Sequence, residues 1–298
     1  MHTNYDTGTE EPPGTLIVVR RGRFLRSSTL LFFAFCCTAS ALDYQIQANI
    51  RYDQYAETVL DILQPSAPSL ADRPGVIVIH GGGWVGGSKE EMLEQYCLPF
   101  VRHGMVVANV EYRLAASAPA PAAVHDVLKA TQWFEEHAAM YKVDPKKIVA
   151  AGGSAGGHLA LMIAMTPASA DLGPVSKIAA IIDFFGITDV AALLAGPDQR
   201  EFATAWIPPQ PERMELARRI SPLTYVRKGL PPILILHGDA DPTVPYQQSV
   251  ALAKALKSAG DDATLITIPG GGHSFTLPQM VQLTPQIFLW LKKRKIGS

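Results

Sequence analysis

From residue 42 onward, short apolar runs rich in β-branched residues alternate with stretches whose apolar positions recur every three or four residues. The runs are 76–80 (VIVIH), 106–112 (VVANVEY), 147–151 (KIVAA), 179–185 (AAIIDFF), 232–237 (PILILH) and 264–268 (TLITI). Helical spacing marks 90–103, 121–141, 155–165, 246–259 and 278–295. Near-continuous apolar strands separated by helices predict an α/β fold: a mostly parallel, twisted sheet with helices on both faces. Ahead of them, the alternation in YQIQANIRY and TVLDIL over 44–63 predicts an antiparallel hairpin at the sheet edge. One interval breaks the rhythm. Residues 186–230 carry Pro197, Pro208, Pro209, Pro211 and Pro222 and an Arg-rich helix-like stretch at 212–220. So long an irregular segment predicts a small lid insertion over the mouth of the site.

The first forty residues follow another pattern. Arg20, Arg21, Arg23 and Arg26 form a basic cluster, 28–38 (STLLFFAFCCT) is uncharged and mostly apolar, and Ala39-Ser40-Ala41 supplies small residues for cleavage. This predicts a signal peptide over 1–41, cut after Ala41, and export of a single 42–298 domain to the periplasm or the medium. The apolar run is short for a membrane span, so no stable membrane insertion is expected after cleavage; an uncleaved anchor is the alternative. Cys36 and Cys37 leave with the signal, and Cys97 alone remains, so no internal disulfide is expected. With 48% hydrophobic and 18% charged residues the domain can bury a large core, and a net charge of −1 gives no support for a nucleic-acid partner. The oligomeric state is not legible.

The candidate chemistry sits where strands end. The run 147–151 leads into Gly152-Gly153-Ser154-Ala155-Gly156 and then into a helical stretch. G-x-S-x-G between strand and helix forms a sharp turn that lifts a serine hydroxyl above the sheet. Acyl transfer to such a serine develops an alkoxide, which needs preorganised N–H donors. His80-Gly81-Gly82-Gly83-Trp84 follows the strand 76–79; Gly82 and Gly83 are read as donors together with Ala155, and the Trp84 N–H is an alternative member. His80 precedes this loop and is read as its brace. The serine also needs a base, and the base an orienting carboxylate. His273 follows the last strand behind three glycines, and Asp241 lies in HGDADPTVP after the strand 232–236. Asp241 is preferred to Asp239, which sits nearer the strand end and caps the turn instead; a capping role is the alternative for Asp241 too. His158 is read as packing. Trp84, Phe184, Phe185 and residues of the insert are expected to shape an apolar substrate pocket. No H-E-x-x-H and no paired Cys/His cluster is present, so no metal is expected.

HGGGW at 80–84, EYRL at 111–114, GGSAGGHLAL at 152–161, SPLTYV at 221–226, HGDADPTVP at 237–245 and GGGHSF at 270–275 together resemble the esterase/lipase branch of the α/β-hydrolase fold. The match is to the feruloyl-esterase-like (BD-FAE) subgroup, related to hormone-sensitive-lipase-type carboxylesterases. The resemblance spans roughly residues 45–295. It implies hydrolysis of short or aromatic acyl esters, as small molecules or linked to plant polysaccharide, without a cofactor. It assigns Ser154, Asp241 and His273 as the triad and the 81–84 loop with Ala155 as the oxyanion site. Within 186–230 only SPLTYV matches the pattern. HGDADPTVP also resembles prolyl-oligopeptidase-type peptidases, so a peptidase of the same fold and a catalytically silent binding protein stand as the rival readings.

Overall fold

The computed structural model describes residues 43–297. The expected signal peptide lies outside them. In chain order come the strands β1 (Tyr44–Arg51), β2 (Val59–Pro65) and β3 (Arg73–Ile79), helix α1 (Leu98–Arg102), β4 (Val106–Val110), α2 (Ala122–Glu136) and β5 (Val143–Gly153). They continue with α3 (Ala155–Met165), β6 (Ala180–Phe184), α4 (Glu201–Trp206), α5 (Arg213–Arg219), β7 (Ile233–Gly238), α6 (Gln247–Ala259), β8 (Ala263–Ile268) and α7 (Leu277–Lys293).

The strands form one sheet in the order β1-β2-β4-β3-β5-β6-β7-β8. β1 and β2 pair antiparallel at one edge, and β2 also meets β4 antiparallel. All other pairings are parallel. This is the α/β-hydrolase fold, with the expected edge hairpin. Alternate side chains of each inner strand serve opposite faces. Ile77, Ile79, Ile181, Ile233 and Ile235 face α2, α3 and α6. Val76, Val78, Val149, Ile182, Leu234 and Leu236 face α1 and α7. Cover on both faces is why these strands read as continuous apolar runs, with every residue of β4, β6 and β7 buried. In α3 every residue but Ala164 is buried, which explains its nearly all-apolar sequence.

Two expected elements differ. The helix expected over 90–103 is instead a 3₁₀ turn (Lys89–Met92), a π turn (Leu93–Cys97) and the short α1. Tertiary bonds to Lys89 compete with regular winding. The Asn109 amide donates to the Lys89 carbonyl at 2.7 Å, and the buried Lys89 ammonium pairs with Asp61 at 2.8 Å. The 186–230 interval is better packed than its prolines suggest. α4, α5 and three short 3₁₀ turns place Leu193, Leu194, Ala203, Trp206, Ile207, Ala217 and Ile220 in the core. Its start is fastened to α6 by Gln248, whose Oε1 accepts the Thr188 and Asp189 N–H groups at 2.7 and 2.9 Å.

Candidate active site

Three parallel strands deliver the candidate chemistry to one rim. β5 ends at Gly153, β7 at Gly238 and β8 at Ile268, so Ser154, Asp241 and His273 all leave carboxyl ends of the sheet. Ser154 is the N-cap of α3 and holds φ 58°, ψ −121°, a strained conformation for a residue with a side chain. Close approach explains the flanking glycines. A Cβ on Gly152 would overlap the Gly156 carbonyl, and one on Gly156 would overlap the Ile79 carbonyl of the neighbouring strand. The Ser154 N–H is tied to the Phe184 carbonyl at 2.9 Å.

The three side chains meet. His273 Nε2 is 3.1 Å from Ser154 Oγ, and His273 Nδ1 is 2.8 Å from Asp241 Oδ2. An ionised carboxylate only accepts, so Nδ1 carries the hydrogen and the Nε2 lone pair faces the serine hydroxyl. Asp241 Oδ1 accepts the Thr243 and Val244 N–H groups at 2.8 and 3.0 Å. Burial would raise the Asp241 carboxyl, but the His237, His273 and Thr243 donors outweigh it and hold it well below the usual carboxylate range. Asp239 takes the turn-capping part: its Oδ1 accepts the Gly270 N–H at 2.7 Å.

The glycine loop lies against the elbow. A Cβ on Gly81 would stand 2.9 Å from the Gly153 carbonyl and 3.4 Å from Ser154 Cβ. The next three residues turn through positive φ: 102° at Gly82, 60° at Gly83 and 61° at Trp84. This turn leaves the N–H groups of Gly82 and Gly83, like that of Ala155, without an acceptor among the described residues. His80 braces the loop. Its Nε2 meets Glu111 Oε1 at 2.9 Å, its Nδ1 meets the Gly81 carbonyl at 2.8 Å, and its ring stacks on Tyr112.

The aromatic pocket expected from the sequence is not built as expected. Trp84 has 0% of its surface exposed. Its ring stacks on Trp206 at 4.0 Å, and its Nε1–H donates to His158 Nδ1 at 3.3 Å. Its side chain is therefore core and cannot line a substrate surface, because the insert lies over it. Phe184 packs on Tyr96 and Phe275, and Phe185 packs edge-on to His273 at 4.8 Å. The aromatic ring over the loop is Phe202 of α4, whose Cβ and ring would contact any Cβ on Gly83 at 2.8 Å. α4 is too short for its apolar spacing to reveal it. His158 is a packing residue: its Nε2–H donates to the Ile220 carbonyl at 2.6 Å, and burial pushes its pKa down to about 4. Sequence reading also passed over His237, which meets Asp241 Oδ2 at 3.1 Å, although the four-residue spacing within HGDAD was visible. Among the described residues no cluster of His, Cys, Asp and Glu could hold a metal ion, and no helix is long and apolar enough to cross a membrane.

A doubly wound sheet with a strained serine at a strand-to-helix elbow and a Ser–His–Asp chain along one rim defines an α/β-hydrolase. Within that class the chain belongs to the BD-FAE family, whose match covers residues 60–256 and so includes Ser154 and Asp241 but stops before His273. It is 30% identical over 241 residues to esterase LipQ of Mycobacterium tuberculosis, covering 76% of this chain and 56% of LipQ. The chain thus spans little more than half the length of that relative, and 61% of esterase LipC from the same organism. Among solved structures, a truncated carbohydrate esterase from gut microbiota superposes with TM-score 0.72 at 30% identity, covering 82% of this chain and 95% of that one. Esterase 2 of Thermogutta terrifontis with propionate bound gives TM-score 0.71 at 30% identity, covering 86% and 96%. That esterase is also known phosphorylated by paraoxon.

Proposed function

We infer that this protein is a serine esterase that hydrolyses carboxylic esters through an acyl-enzyme. The observation that carries the reading is the hydrogen-bonded chain Ser154–His273–Asp241, set beside N–H groups of Gly82, Gly83 and Ala155 that have no other acceptor among the described residues. In this reading His273 Nε2 takes the Ser154 proton as Oγ attacks the ester carbonyl, and Asp241 stabilises the imidazolium that results. The three N–H groups receive the oxyanion, each contributing about 2.7–4 kcal/mol to the transition state. His273 then protonates the departing alcohol, and water releases the acid by the same route in reverse.

The substrate class follows from the same features. Phe202 roofs the glycine loop and Ser154 is only 7% exposed, so a small acyl group fits the approach better than a long one. The propionate bound to the Thermogutta esterase agrees with a short acyl group, and the carbohydrate-esterase neighbour agrees with an alcohol that is part of a polysaccharide. The 186–230 segment acts as the lid. Export belongs to the same reading and rests on the basic and apolar pattern before Ala41; N-terminal sequencing of the secreted protein should start at Leu42.

The test is release of p-nitrophenol from acetate, butyrate and octanoate esters and of ferulate from methyl ferulate, by the wild type and Ser154→Ala. Turnover that falls by about 10⁴-fold or more in the variant supports the reading. Paraoxon should add a diethylphosphoryl group to the wild type and not to the variant, read by intact mass. Cleavage of amino-acyl anilides but not of esters would make the protein a peptidase. A well-folded wild type inert to esters, anilides and paraoxon would make it a binding protein.

A further inference from the structure

Asp241 has more partners than a Ser–His–Asp chain requires. Its Oδ1 is fixed by Thr243 and Val244 N–H, and its Oδ2 receives His273 Nδ1. A second ring meets that same oxygen. His237 Nε2 stands 3.1 Å from Asp241 Oδ2, and His237 and the Asp241 side chain are both 0% exposed.

The hydrogens on this ring follow from its partners. Nε2 is also 3.1 Å from the Val244 carbonyl, and a carbonyl and a carboxylate both only accept, so Nε2 carries a hydrogen. Nδ1 is 2.7 Å from Ser249 Oγ on α6. A hydroxyl can donate, so a neutral His237 takes the Ser249 hydrogen on Nδ1 and gives its own from Nε2. Each ring nitrogen is then satisfied with no charge on the buried ring. This ring cannot act as a second base: its only N–H is turned to Asp241, and its lone pair is occupied by Ser249. The core alone would be served by Val244 and Ser249. What sets His237 apart is its aim at the oxygen that serves His273.

We propose that His237 is a positioning residue for the proposed esterase relay: as a neutral ring oriented by Ser249, it fixes Asp241 Oδ2 in the orientation that meets His273 Nδ1. A carboxylate torsion is broad, so a carboxylate held by one oxygen can swing about its last bond. Asp241 is held on both oxygens by donors that belong to its own turn and to the strand before it. When His273 becomes an imidazolium, the acceptor opposite it does not have to move, which is the condition for electrostatic stabilisation without reorganisation. His237, Asp241 and Ser249 all lie on the β7–loop–α6 unit, so that unit builds and aims the acid before β8 brings His273 to it.

The inference rests on the esterase reading for its kinetic readout alone. The experiment compares wild type with His237→Leu, His237→Gln and Ser249→Ala, each checked for folding by circular dichroism and thermal melting. The readouts are kcat, KM and the low-field proton resonance of His273 Nδ1–H. Leucine removes the donor, whereas the glutamine amide reaches about as far as Nε2 and keeps an N–H toward Asp241. His237→Leu should lower kcat by about 10- to 100-fold, the size of one lost hydrogen bond to a charged group, with KM changed less than about 2-fold. Its His273 resonance should shift or broaden. His237→Gln should recover kcat to within about 5-fold of wild type and restore the resonance. Ser249→Ala, which loses the group that orients the ring, should lower kcat by about 3- to 10-fold. A folded His237→Leu with wild-type kcat and resonance overturns the proposal, as does a His237→Gln as impaired as the leucine variant. If the leucine variant does not fold, a Ser249→Ala with wild-type kcat and resonance overturns it. If the wild type hydrolyses no ester, the esterase reading fails, and the His273 resonance across the same variants still decides the positioning role.

Discussion

Asp239 and Asp241 stand two positions apart in one turn, and the sequence offers either as the carboxylate for His273. Local logic favours Asp241 only by its distance from the strand end; the geometry separates them, with Asp239 spent on the Gly270 N–H and Asp241 on two histidines. In the proposed mechanism Asp241→Asn should lower kcat by about 10⁴-fold, because an amide facing His273 favours the wrong tautomer. Asp239→Asn keeps an acceptor for Gly270 and should cost less than about 10-fold; steady-state kinetics on one p-nitrophenyl ester decides between them. Residues fixed by local backbone demands were legible in this way: Ser154, Gly152 and Gly156 announce themselves because an elbow tolerates little else there. Trp84 misled because a glycine-rich loop beside an aromatic looks like a pocket wall. Only the insert, about 120 residues further on, reveals that Trp206 covers that ring.

At the level of elements, periodicity located the inner strands and the long helices α2, α3, α6 and α7. It found α5 within 212–220, missed the six-residue α4, and failed on 89–97, where side chains from β2 and β4 seize the backbone and side chain of Lys89. The sequence reads the insert as a small lid over the mouth of the site, and its underside is core. Trp206 lies flat on Trp84 with 0% exposure, and Trp84 in turn is hydrogen-bonded to His158. Trp206→Ala should therefore cost about 3–5 kcal/mol of global stability in urea denaturation, as for other buried aromatic truncations. A detachable surface flap would lose about 0.5 kcal/mol or less. The insert is held to the turn bearing Asp241 as well, through Arg200 Nε donating to the Thr243 carbonyl at 2.9 Å.

Across the whole molecule, buried titratable groups set opposing trends with pH. Asp183 sits in β6 under the elbow. Burial raises its carboxyl from 3.8 to about 7, against the Gly186 N–H that it accepts, and its Oδ2 has no partner among the described residues. Its folded value lies above its unfolded one, so the stability it supports is present below pH 3.8 and lost as pH rises through about 7. His158 runs the other way. Its folded value of about 4 lies below 6.5, so its contribution is present above pH 6.5 and lost as pH falls through about 4. The depressed Asp241 adds to the loss in acid. Wild-type stability should thus vary little between about pH 4 and 6.5, because the Asp183 and His158 slopes cancel in part. Asp183→Asn removes one slope and should leave a protein whose urea midpoint climbs steadily over that range; a flat profile in the variant would contradict the account. Nothing in local sequence discloses this balance, since it depends on how deep β6 and α3 lie. The layout of the rim also imposes a schedule on synthesis. Ser154 and His273 are 119 positions apart, so a ribosome adding about 5–20 residues per second takes roughly 6–24 s to go from one to the other. During that interval the nascent chain carries Ser154 without His273 opposite it, and its host meets the assembled Ser154–His273–Asp241 cluster only after the final strand and the loop beyond it have emerged.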